Sequence, residues 1–196
     1  MNLKSLLLGT IVSAATAAFA AQPVGVVVHE CAPGKTYVSS TWNYKGEANQ
    51  LFRQIQDDAQ QAQYHANMLQ SFENSRQMSW QAHVGELGPL KDEINDMSRK
   101  LCRLEVIRRA TDPWQQAEID RIDQTVRLMA DNAADAILFG NAHHSTLWMM
   151  PYQRYTDNLY DQAKSLSHSV DHAVAYAKAS KEYRALRKDL GMHASS

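Results

Sequence analysis

Apolar residues recur along this chain at alternating steps of three and four over four long stretches. Ala48, Phe52, Ile55, Ala59, Ala62, Ala66 and Leu69 form the first stripe, whose seam is rich in alanine. Trp80, His83, Leu87, Leu90, Ile94, Met97, Leu101 and Leu104 form the second. The third is Ile119, Ile122, Val126, Met129, Ala133, Ala136 and Gly140, and the fourth is Leu159, Ala163, Leu166, Val170, Ala173 and Ala177. Such spacing keeps one face of a 3.6-residue helix turned toward a core, so the pattern predicts four amphipathic helices.

Punctuation supports the same reading. From Glu47 to Leu190 the chain has three glycines (Gly85, Gly88, Gly140) and three prolines (Pro89, Pro113, Pro151). A strand-rich chain needs a turn roughly every 8–12 residues, and that supply is missing. Thr111-Asp112-Pro113 reads as a helix start, a capping residue followed by proline in the first turn. Pro151 suits the first turn of the fourth helix, which continues polar to Leu186 before Gly191 ends it. The Gly88-Pro89 step predicts a kink in the second helix or a late start, because Pro89 lacks a ladder donor.

Helices of roughly 28–40 residues would be about 40–60 Å long. The connections at Asn74-Ser75, Thr111-Asp112 and residues 143–150 are short, which makes sequential helices antiparallel neighbours. The expected fold is all-α, an up-down-up-down four-helix bundle over residues 46–190. Residues 21–45 form an irregular N-terminal segment with an extended piece at 24–29, and residues 191–196 form a tail. Trp80, Trp114 and Trp148 are spaced 34 residues apart, the period of a tetratricopeptide repeat. That repeat packs two helices per period, whereas each interval here holds one stripe, so each tryptophan, with Trp42, marks the start of a bundle helix.

The first 20 residues stand apart. Lys4 precedes an apolar run from Leu6 to Ala15, and Ala18-Phe19-Ala20 forms a small-x-small cleavage signal before Ala21. This is the pattern of a cleaved signal peptide, and no Cys follows the cleavage point for acylation. The apolar run is short for a span, and no later segment is apolar enough to cross a bilayer. The expected destination is the periplasm or the exterior.

Charge adds little. The whole chain has 20 Lys+Arg against 21 Asp+Glu, a net charge of -1; residues 1–20 hold only Lys4, so the mature chain stands at -2. Neither value favours nucleic acid or an acidic membrane surface as a partner. Cys31 and Cys102 enter an oxidising compartment, and the topology puts both near the end where helix 1 begins and helix 2 finishes. A Cys31–Cys102 disulfide is therefore expected.

The opposite end gathers histidine and methionine. His65 and Met68 fall near the end of helix 1, Met78 and His83 near the start of helix 2, and His143, His144, Met149 and Met150 in the third connection. His83 and His143 extend core stripes and are expected to point inward. Two readings follow. His65, His83, His143 and His144, with Met149 or Met150 as softer donors, could hold a copper or zinc ion. The same residues could instead pack around aromatic rings and cap helix ends. His168 and His172 have i, i+4 chelating spacing but fall opposite the fourth stripe, facing solvent.

Catalytic signatures are absent. There is no Glu-x-x-His pair for a di-iron bundle, no Cys-x-x-Cys-His for c-type haem, no His-Glu-x-x-His, no Gly-x-Ser-x-Gly and no phosphate-cradling glycine loop. Asp58, Arg76, Arg103, Arg108 and Arg109 belong to polar faces, where charges are ordinarily solvated or paired. Glutamine crowds the polar face of helix 1 (Gln50, Gln54, Gln56, Gln60, Gln61, Gln63), compatible with self-association or a protein partner. The sequence therefore suggests an exported, non-enzymatic bundle with a binding or structural role, with a metal or small-ligand bundle as the alternative. Thiol counting on the mature, denatured protein is expected to find no free thiol; two would refute the disulfide.

Overall fold

Burying four stripes at once requires each helix to flank two others, and this is what the chain does. The computed structural model describes Cys31, residues 41–73, Ser75 and residues 77–191. Within them, α1 spans Tyr44–Glu73, α2 Trp80–Ile107, α3 Pro113–Ala142 and α4 Met150–Asp189, with a 3-10 turn at Arg108–Ala110 between α2 and α3. The described residues contain no strand. The signal peptide at 1–20, the extended piece at 24–29, Arg76 and residues 192–196 lie outside the described residues.

Every residue of the first stripe is fully buried, and the other three stripes are buried except at Trp80 and Ala177, which are half-buried. The helix starts follow local chemistry. Ser79 accepts the amide of Ala82 at the head of α2. Asp112 and Gln115 form a reciprocal capping box before Pro113. Gly191, at φ 64°, takes the left-handed conformation that ends α4. The late start considered for α2 does not occur: the helix runs through Gly88-Pro89 unbroken from Trp80. Pro89 leaves the Gly85 carbonyl without its helical donor, and Gly85 is exposed, so water can replace it.

Polar pairs between helices give the directions. Along α1 and α2, Glu47 meets Arg103 and His65 meets Glu86. Along α1 and α4, Gln56 meets Asp171 and Gln70 meets Asp157. Along α3 and α4, Glu118 meets Ser169 and Asn132 meets Gln162. In each pair of helices the numbers rise on one as they fall on the other, as antiparallel neighbours require. Helices α1 and α3 lie on opposite sides of the core, joined where Phe52 packs on Trp114 with ring centroids 6.2 Å apart.

Cys31 is disulfide-bonded to Cys102, with the Cα atoms 5.0 Å apart across a sequence separation of 71. Constraining a loop of that length stabilises the fold by about 4 kcal/mol in the chain-entropy model. It ties the segment before α1 to the last turns of α2.

At the other end, the Trp80 ring lies against the backbone of α3. A Cβ built on Gly140 would sit 2.5 Å from Trp80 Cζ3, so only glycine allows this approach. The opposite demand comes from His144, stacked on Trp80 at 4.5 Å between ring centroids. Gly140→Ala is expected to lose about 1–3 kcal/mol through overpacking, read from urea denaturation. A stability equal to that of the parent would show that Trp80 moves aside without strain.

Candidate functional site

The end where α1 and α3 finish and α2 and α4 begin was the sequence's best candidate for chemistry. The structure brings those residues to one end but gives each a separate role. His83 is buried, its Nδ1 3.0 Å from the Tyr152 hydroxyl, with Phe72 edge-on at 5.4 Å. Burial holds the His83 pKa below its ordinary value, so the imidazole is neutral. His65 is half-buried and pairs through Nδ1 with Glu86 at 2.7 Å. His144 is exposed and stacks on Trp80.

His143 departs from expectation. It does not point inward: α3 ends at Ala142, and the backbone of His143 leaves the helix at φ −136°, ψ 46°. That turn swings the side chain off the stripe and into solvent beside Phe139, with ring centroids 4.4 Å apart. Met78, Met149 and Met150 are exposed. Among the described residues, no three His, Cys, Asp or Glu side chains come together where a metal ion could be held. His168 and His172 face solvent, as their phase implied, stacked in parallel at 5.3 Å.

A line of charges runs along the α1–α2 seam. Asp58 accepts a hydrogen bond from Lys100, yet burial outweighs that partner and keeps its carboxyl above the usual range. Glu93 is also raised, first by burial and then by the neighbouring Asp58 carboxylate. Elsewhere the pairs behave as surface bridges: Arg103 holds Glu47, and Arg108 holds both oxygens of Asp120, low in pKa. The buried polar groups serve the frame. Gln115 Nε2 donates to the Lys45 carbonyl at 3.0 Å and to Asn49 Oδ1 at 2.8 Å. Glu118 accepts from Ser169 and Arg121. Among the described residues no buried side-chain nitrogen or oxygen lacks a partner.

The less expected surface is at the other end. Helix α4 has 40 residues, whereas α1, α2 and α3 have 30, 28 and 30. Its last buried residue is Ala173, and from Ala177 to Asp189, about 20 Å, it runs past the first turn of α3 while still flanking the first turns of α1. Tyr176, Tyr183, Leu186 and Leu190 on this projection are between 55% and 69% exposed. With Ala179 they repeat at steps of three and four, an apolar stripe offset by one residue from the buried one. In the phase of the core stripe this stretch is polar, as expected; its apolar residues lie one position off that phase. The offset phase was the available signal.

The stripe points along a definite direction. One heptad before Tyr176, Ser169 bonds Glu118 of α3, and Tyr176 itself packs edge-on against Trp114 at 5.0 Å. The exposed stripe therefore faces the space in line with α3, beyond its first turn. No described helix is long and apolar enough to cross a membrane.

Comparison with protein-family models, curated proteins and solved structures finds no match for this chain.

The neutral His83 gives a pH signature. Its folded pKa lies below the unfolded value of about 6.5, so unfolding takes up a proton as pH falls. The stability associated with this group is complete above about pH 6.5 and declines below it toward the folded pKa, by at most about 1.4 kcal/mol per pH unit. Urea midpoints from pH 7.5 to 5 are expected to fall more steeply for the parent than for His83→Asn. Parallel curves would mean that burial does not lower the His83 pKa in the folded protein.

Proposed function

We propose that this chain is an exported, non-enzymatic helical-bundle protein with a binding and structural role in the periplasm or cell envelope, and that copies associate through the projecting end of α4. The observation that carries the reading is the exposed apolar stripe of Tyr176, Ala179, Tyr183, Leu186 and Leu190. A helix gains nothing in water from a continuous apolar seam, and such seams ordinarily pack against another helix.

The position of the stripe limits what covers it. A parallel second α4 would carry its upstream turns into the space that α3 occupies. A helix arriving from the opposite direction ends below the first turn of α3 and avoids it. The projection of a second copy does this by two-fold symmetry, each end filling the space below the other copy's α3. The carbonyl end of one projection then approaches the amide end of the partner's α3, a favourable alignment of helix dipoles. Lys178, Lys181, Arg184 and Lys188 lie on the far face of the helix in heptad phase, away from the contact. The satisfied buried polar groups and the absence of a catalytic motif support the non-enzymatic part of the reading.

Light scattering on the eluting mature protein is expected to show a concentration-dependent dimer. Tyr183→Asp/Leu186→Asp should be monomeric with unchanged helical content, because both positions are solvent-facing in the single chain. Antiparallel packing also predicts that a mixture of Tyr176→Cys and Leu190→Cys proteins cross-links more readily than either alone. A monomer at all concentrations, or a dimer indifferent to the double substitution, would sink the proposal.

A further inference from the structure

On the face of the α4 projection opposite the stripe lies a groove of about 670 Å³, closed on its other side by the first turns of α1. Five cations line it: Lys45 and Arg53 from α1, and Lys178, Lys181 and Arg184 from α4. Among the described residues no carboxylate lines it. On a chain of net charge -1, that is a strong local excess.

Their pairing makes the excess more pointed. Lys45 alone has an acidic partner, Asp112 at 2.5 Å. Arg184 Nε donates to the Ser180 carbonyl at 3.2 Å, which leaves its terminal nitrogens unused by that bond. Among the described residues, Arg53, Lys178 and Lys181 have no hydrogen-bonded or ion-paired side chain. Elsewhere on the molecule Arg103, Arg108, Arg121 and Arg127 each hold a carboxylate. In the groove, Arg53, Lys178 and Lys181 converge without one among the described residues.

The walls add two features. Asn43 accepts the Gly46 amide at 3.0 Å, and a Cβ on Gly46 would lie 2.5 Å from Asn43 Nδ2, so glycine lets this cap fold tightly against α1. The groove therefore opens on the amide end of α1, where the helix dipole is positive. Val174 and Ala177 supply an apolar floor.

We propose that this groove binds a ligand bearing clustered phosphates. Two guanidinium forks on opposite walls suit phosphate oxygens, which accept paired hydrogen bonds, and the lysines supply further charge between them. The volume lies within the range of small-molecule sites and exceeds what one phosphate fills. Mutual repulsion among the cations is relieved when the anion arrives, so the interaction is strongest at low salt. A soluble polyphosphate compound and the headgroup of a phospholipid share this chemistry. The groove faces away from the stripe, so it stays open whether or not copies associate.

Calorimetric titration of the mature protein with inorganic tripolyphosphate tests the soluble source, and co-sedimentation with phosphatidylglycerol vesicles tests the lipid source. Saturable binding to either is expected, weakened about tenfold or more by Lys178→Glu/Lys181→Glu and by Arg53→Glu, and weakened by salt. Tripolyphosphate binding without vesicle binding supports a soluble ligand. Vesicle binding that tripolyphosphate displaces supports a headgroup. Leu138→Asp, exposed near the far end of α3, should leave both unchanged, and circular dichroism confirms that each variant is folded. No binding to either probe, or binding that survives both charge reversals, overturns the proposal.

Discussion

Alanine at positions 48, 59, 62 and 66 leaves nothing on the buried face of α1 to hold its neighbours away. Helices α2 and α4 both pack against that face, and interaxial distances fall toward the lower end of about 8–10 Å when contact residues are small. The larger side chains of the core, Phe52, Ile55 and Leu69, interleave with the alanines and fill what remains. Once this approach is set, so is the longitudinal register. Gln56 then falls opposite Asp171, Gln70 opposite Asp157, and Glu47 opposite Arg103. These exposed pairs contribute little energy individually, but they match only in one register.

A second constraint is the inequality of helix lengths. The core supplies burial to α4 only as far as α1 and α3 reach. Beyond that, Ala, Lys, Glu, Arg and Leu keep the helix formed by their intrinsic preference. The projection has two faces with different chemistry, apolar in line with α3 and basic beside α1. Both proposed surfaces are consequences of that overshoot, and neither would exist if α4 stopped at Ala173.

The histidine-rich end works differently. Trp80, Tyr152, Phe72 and Phe139 gather there, and His83, His143 and His144 each contact a ring from this set. His65 instead meets Glu86 on the seam outside it. Imidazole serves here as a flat, polarisable surface with one polar handle. His83 shows the consequence most clearly, held neutral by burial with its Nδ1 on the Tyr152 hydroxyl. The disulfide closes the far end by joining Cys31 to Cys102, so the two ends of the bundle are held by different means.

The sequence by itself determined the helices and their buried faces through periodicity, the cap at Asp112 through its Thr-Asp-Pro punctuation, and the partnership of the two cysteines through the end of the bundle each occupies. Those features depend on interactions within a turn or two, or on which end of a helix a residue occupies. Where each side chain would point at a helix end was not determined in this way. His143 has the phase of the α3 core stripe, yet the helix stops one residue earlier and the backbone turns it outward. The α4 projection is similar: its stripe is written in the sequence, but whether it is buried depends on where α1 and α3 begin in space. The groove is more remote still, because Arg53 and Lys181 meet across two helices that are far apart along the chain. Helix formation is local, and so the sequence carries it openly; ends, overhangs and clefts depend on relative lengths and offsets, which only packing decides.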